Sequence, residues 1–141
     1  MFSFFCALKA IRAHGLTGSA LWDITRATVV SQLLYASPAW WGYLKADERN
    51  RLQSMIVKAI RYGYLPRSFS TLDELRDDCD EQLFFSARYS PYHVLHRLLP
   101  ESYKNMNYNL RKRTHNLTLP MDVNAVMKQN FLFRMPFTDI Y

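Results

Sequence analysis

The chain predicts a mainly α protein, a small helical bundle followed by an irregular, extended C-terminal tail. Three observations support this. Between Leu8 and Leu99 apolar residues recur at three- and four-residue steps, the repeat of a helix with one buried face. Glycine, proline and capping residues divide that stretch into helix-length pieces. Beyond Glu101 the character changes to ESYKNMNYNLRKRTHN, rich in Asn, Lys, Arg and Tyr and poor in periodic apolar residues.

The first helix ends near His14, where Gly15 offers the position at which a left-handed backbone meets no Cβ penalty. Ser19 is the expected N-cap of the next, which carries Ala20, Ile24, Ala27, Ser31, Leu34 and Tyr35 on one side and runs to about Ala36. Pro38 stops it, lacking the amide the ladder needs and turning Ser37 away from helical geometry. Trp40 and Trp41 follow in a short turn. As neighbours they point in different directions, so at most one can lie fully in a core.

A third helix is expected from Asp47, with Leu52, Met55, Ile56, Ala59 and Ile60 inward; Gly63 and Pro66 close it. Ser70 with Asp73, or Thr71 with Glu74, can form a capping box that opens a fourth. Its inner face reads Leu72, Leu75, Cys79, Leu83 and Ser86, and its solvated face Arg76, Asp77, Asp78, Asp80 and Glu81. Pro91 is placed to start a short element, Tyr92 to Leu99, that stops at Pro100. The last 25 residues hold isolated apolar clusters, Leu117 with Leu119 and Phe131 to Phe133, too broken for a helix or a sheet. Two regions result: a helical domain over residues 1–100, and a basic, loosely structured tail over 101–141.

A chain of 141 residues can bury roughly 70% of the surface its unfolded form exposes, enough for a core without staples. Cys6 and Cys79 are its two cysteines, too few for a disulfide framework or a four-thiolate zinc site. A reducing, intracellular setting, cytoplasmic or nuclear, is expected. The opening MFSFFCAL is apolar, but Lys9 interrupts it too early for a secretory segment or a membrane span. Phe2, Phe4 and Phe5 read instead as the edge of a core continuing upstream. Together with Trp40 and Trp41 they are candidates for an apolar patch that promotes self-association.

The net charge of +6 is unevenly spread, with an excess of five positive charges over residues 1–66, two negative over 67–100 and three positive over 101–141. Two basic blocks thus flank an acidic one, a layout that permits polyanion binding by phosphate neutralisation. The densest basic run is Arg111, Lys112 and Arg113, with Tyr108 and His115 beside it. Lys58, Arg61, Tyr62 and Tyr64 form a second group at the end of the third helix. Cations that follow a phosphate backbone beside aromatics that stack on bases are the residue types single-strand recognition requires; an exposed, solvated face uses the same residues.

Other candidates read as ordinary structure. His93 and His96 would share one side of a helix, yet no glutamate lies between them and no third ligand is near. Asp77 and Asp78 invite comparison with the carboxylate pair of two-metal polymerases, but they follow a capping box on a polar helix face rather than a hairpin flanked by strands. Asn116-Leu117-Thr118 matches a glycosylation acceptor without a secretory context. No catalytic residue, metal site or cofactor is expected.

The blocks LKAIRAHGL, LLYASPAWWGYL and RLQSMIVKAIRYGY, followed in order by LDEL, Cys79-Asp80, HVLHRLLP, YNLRKRTHNLTLP and NFLFRMPFTDIY, closely resemble the C-terminal portion of reverse transcriptases from jockey-like and chicken-repeat-like non-LTR retrotransposons. The resemblance covers nearly the whole chain from Ala7. It implies a segment in or after the helical thumb, truncated at its N-terminus, that helps hold template RNA and primer; RNA or an RNA/DNA hybrid is the implied ligand. It also implies that the catalytic aspartates lie upstream, in fingers and palm that would be the packing partner, so the isolated chain would not be an enzyme. The Cys/His knuckle that some such elements carry has no counterpart here. The alternative is a free-standing basic helical module that binds nucleic acid or protein.

Overall fold

The computed structural model describes residues 2–102, 115–119 and 121–138, with side chains from residue 4 onward. The described residues form eight α-helices, α1 Phe2–Ala13, α2 Gly18–Thr25, α3 Ser31–Leu34, α4 Ser37–Trp40, α5 Ala46–Arg61, α6 Leu72–Tyr89, α7 Ala125–Gln129 and α8 Phe131–Thr138. They contain no sheet; the one β feature among them is an isolated antiparallel bridge between Ser102 and Leu117. No described helix is long and apolar enough to cross a membrane. Two compact units emerge, one of residues 1–37 and 44–77, the other of 38–43 and 78–141.

In the first unit, glycine stops both long helices as expected. Gly15 (φ 94°) ends α1 and Gly63 (φ 75°) ends α5. After each, the amide two residues past the cap returns to the carbonyl of the third-last helical residue, Leu16 to Ile11 at 3.4 Å and Tyr64 to Ala59 at 2.8 Å. That pairing satisfies orphan carbonyls of the final turn. The second helix differs in detail from its expectation. Thr17, not Ser19, precedes it in extended geometry, and a π-turn over Arg26–Val30 separates α2 from α3.

The π-turn has a physical reason. Leu21, Thr25, Val29 and Leu33 are buried four residues apart, a spacing that drifts about 40° per step around an ideal α-helix. A wider turn returns them to one face. The hydroxyls of Thr25 and Thr28 donate to the carbonyls of Leu21 (2.8 Å) and Ile24 (2.7 Å), so carbonyls at the disturbed register keep a donor. Ala36 then takes a left-handed conformation (φ 51°); Pro38 stands in the first turn of α4 rather than in a loop.

The buried core of this unit includes Leu8, Leu21, Val29, Ile56, Ala59, Tyr64, Leu65 and Leu72. Of the two alternative capping boxes Thr71 with Glu74 forms: the Glu74 carboxylate accepts from the Thr71 amide at 2.9 Å, and the Thr71 hydroxyl from the Glu74 amide at 3.3 Å. Gln53 Oε1 accepts from the Leu72 amide at 2.8 Å, fixing the entry of α6 against α5.

The second unit holds most of the departures from expectation. Trp41 is buried and Trp40 half-buried, their ring centroids 5.6 Å apart, so Trp41 does not contribute to an exposed apolar patch. Asp80, expected on a solvated face, is 1% exposed and accepts from Arg134 Nη2 at 2.7 Å. Accordingly Phe84 and Ala87 are buried while Ser86 is exposed: the inner face is rotated by one residue to bring the carboxylate to its partner. Tyr92 to Leu99 does not form a helix. It is a series of turns ending in a single 3-10 turn, His96–Leu98.

The broken apolar clusters near the C-terminus do fold. Asn124 Oδ1 accepts from the Met127 amide at 2.8 Å and caps α7, and Asn130 Oδ1 accepts from the Leu132 amide at 3.0 Å at the start of α8. Phe84, Leu117, Phe131 and Met135 make a buried cluster, with Leu83, Leu95, Leu99 and Leu132 packed against it. His115, expected beside the basic run as a nucleic-acid contact, is buried instead. Its Nε2 lies 2.9 Å from the Pro136 carbonyl oxygen and must donate to it, while Nδ1 accepts from the Leu117 amide at 3.3 Å. Such a histidine is a structural crosslink.

Candidate nucleic-acid interface

The end of α5 and one stripe of α1 build the most distinctive polar cluster of the first unit. The glycine stop at Gly63 turns the chain so that Tyr62 and Tyr64 emerge on either side of it, rings 6.2 Å apart and edge-on. Phe5 of α1 packs against both, at 6.2 Å and 6.1 Å. Arg12 lies seven residues further along α1, on the same stripe as Phe5 and Lys9. Its Nη1 donates to the Tyr62 carbonyl at 2.7 Å, and its guanidinium stands 4.9 Å from the centre of the Tyr64 ring.

These contacts follow from helix electrostatics. The C-terminal carbonyls of α5 carry partial negative charge, and Arg12 from outside with Lys58 and Arg61 from within the last turn place cations there. Arg61 also covers Tyr62, its guanidinium 5.2 Å from the ring centre and Nη2 3.4 Å from the phenol oxygen. That hydrogen bond and charge, with a smaller contribution from Lys58, hold the Tyr62 phenol below its usual ionisation range. A cleft of about 370 Å³ opens among Phe5, Cys6, Lys9, Arg12, Tyr62 and Tyr64.

Lys58, Arg61 and Tyr62 are therefore brought together as the sequence anticipated, and the structure adds Phe5, Lys9 and Arg12. The spacing 5, 9, 12 puts these three on one stripe of α1, but nothing local in the sequence says that this stripe meets the end of α5. Arg111, Lys112 and Arg113 lie outside the described residues. A direct prediction follows from the Tyr62 contact. Arg61→Ala should move the Tyr62 titration upward, toward that of an ordinary tyrosine, as followed by NMR of ring-labelled tyrosine. Because the phenolate adds a negative charge, polyanion affinity should fall as pH rises through this titration, beginning at lower pH in the wild type than in the variant.

The remaining candidates resolve into structure. Asp77 and Asp78 are exposed, and Asp77 pairs with Arg76 at 2.7 Å. His96 Nδ1 donates to the Ala87 carbonyl at 2.8 Å, tying its turn to α6, and His93 Nδ1 accepts from the Leu95 amide at 3.2 Å within its own turn. Burial, then the neighbouring Asp80 and Asp78, push the Cys79 thiol above its usual range, opposite to what a reactive thiolate needs. Among the described residues, no group of three or more His, Cys, Asp or Glu side chains is placed to hold a metal ion.

No family model matches this chain, nor does any curated protein or solved structure. This corrects the retrotransposon, transposable-element and reverse-transcriptase vocabulary as a description of the chain. None of the comparisons carries those terms; of the descriptors the resemblance brought, helical is the one the structure bears.

Proposed function

We propose that the chain is a non-catalytic helical segment that handles nucleic acid, gripping RNA or an RNA/DNA hybrid beside a polymerising body formed by other residues. The observation that carries the reading is the cleft lined by Lys9, Arg12, Phe5, Tyr62 and Tyr64, beside the last turn of α5 with its cations Lys58 and Arg61. Arg12 is spent on the Tyr62 carbonyl, so it shapes the surface, while Lys9, Lys58 and Arg61 are the exposed cations that meet phosphate.

The test is a salt titration of binding to a primed RNA template. Log affinity should fall linearly with log salt, and replacing Lys9, Lys58 and Arg61 together by alanine should reduce the steepness of that line by about 2 to 3, as three lost phosphate contacts require. An unchanged slope overturns the assignment of this site. A flat line for the wild type favours instead a helical protein-interaction module. The pure chain should extend no primer on that template with magnesium or manganese; extension would overturn the non-catalytic role.

A further inference from the structure

The second unit carries an aromatic surface of its own. Phe85 and Tyr89, one turn apart on α6, are 61% and 62% exposed although their ring centroids are only 4.4 Å apart, at an interplanar angle of 42°. Two large rings associate with each other while leaving most of their area in water. Arg88 lies beside them, its guanidinium 5.2 Å from the Tyr89 ring centre and 5.5 Å from that of Phe84. Tyr89 and Arg88 are also walls of a cleft of about 280 Å³ that is completed by His96, Leu99, Ser102 and Asn116 over the buried Leu117.

The lining supplies a ring face, a guanidinium, an amide with both donors and an acceptor, and a hydroxyl. We infer that this cleft takes an unpaired nucleobase of a single strand, stacked against the Tyr89 side, with Arg88 toward the flanking phosphate and Asn116 and Ser102 at the base edge. Its volume lies just below the range of small-ligand sites, about 300 to 1,000 Å³, which suits one planar ring rather than a larger ligand. The charge also fits: a guanidinium at the lip matches a phosphate, and base-on-aromatic stacking tolerates any base. A duplex cannot use the cleft, because its bases are already stacked and paired.

This inference rests on the reading that the chain meets nucleic acid, and the experiment separates the two. Single-stranded RNA bearing thiouridine is cross-linked to the full chain and the adducts are mapped, while affinity is measured for single strand and for RNA/DNA hybrid. Adducts are expected on Tyr89 and the other walls of the cleft. The double variant Phe85→Ala, Tyr89→Ala should lose about 10-fold or more in single-strand affinity and keep its affinity for the hybrid, with Tyr89→Phe close to wild type. Both rings are exposed, so unchanged helicity by circular dichroism is the folding control. Adducts confined to residues 5–12 and 58–64, or equal losses for both ligands, overturn the inference and leave the α1 and α5 site standing. Loss of single-strand binding in the aromatic variant, with none in the Lys9, Lys58 and Arg61 variant, supports this cleft and overturns the other. Absence of any binding overturns both.

Discussion

Asp80→Ala is expected to lower the unfolding free energy by about 3 kcal/mol, because it leaves the Arg134 guanidinium without its carboxylate in a place that water hardly reaches. The pair is short, 2.7 Å, and the two side chains are 2% and 17% exposed. Arg134 also points Nη2 at the Pro38 carbonyl at 3.4 Å, a contact that holds α8 to the Trp40 and Trp41 segment. Residual exposure of Arg134 puts the expected loss at the lower end of the range for breaking a buried pair. Urea unfolding followed by tryptophan fluorescence should show a lower midpoint at unchanged slope; a loss under about 1 kcal/mol would show that the pair is solvated. Replacing both partners with apolar residues, Asp80→Leu with Arg134→Met, should recover most of the loss, since no charge then faces an apolar neighbour in that site.

Gly42→Val should cost about 3 kcal/mol for a different reason. A Cβ built on Gly42 would stand 2.9 Å from the carbonyl carbon of Gln129 and closer still to its oxygen. Backbone at the end of α7 cannot swing aside as a flexible side chain does, so α7 must move bodily or the 41–43 turn must open. Gly42→Ala should already cost about 2 kcal/mol, at the middle of the range for overfilled sites. Thermal unfolding checks both, and a neutral Gly42→Ala would mean that the two segments do not approach as closely as described.

Both effects arise in the second unit, where sequence reading served least well. The residues that decide them are far apart in the chain: Asp80 meets Arg134 across 54 positions. Read from its own helix, Asp80 sits among Asp77, Asp78 and Glu81 and belongs in water. The apolar steps Leu75, Cys79 and Leu83 point to a neighbouring face, and only a partner guanidinium makes burial of the carboxylate favourable. His115 likewise reads as part of a basic stretch until the Pro136 carbonyl is seen to accept from it. The Tyr92 to Leu99 segment shows the converse: a good first-turn proline, but a chain whose turns are held by His93 and His96 binding nearby backbone.

At the candidate interface the division is similar. Lys58, Arg61 and Tyr62 were legible because they lie within one turn of a helix, close to a glycine that announces its end. Phe5, Lys9 and Arg12 belong to the same cluster only because α1 packs beside that end, and no local pattern states this. The exposed pair Phe85 and Tyr89 was hidden for another reason. An aromatic at i and i+4 ordinarily marks a buried stripe, and its exposure is known only once Phe84 and Ala87 are seen to fill the core.

By itself the sequence determined what depends on neighbours in the chain: the helical class, the glycine stops at Gly15 and Gly63, a capping box at Ser70 or Thr71, and the cationic turn around Arg61. These rest on backbone freedom and on hydrogen bonds spanning a few residues. The tertiary structure alone decided which face of α6 turns inward, that Asp80 and His115 are buried, that α7 and α8 form from broken apolar clusters, and which aromatics stay in water. Each of those outcomes depends on desolvation, whose sign for a given side chain is set by the partner that replaces water, and that partner comes from a distant part of the chain.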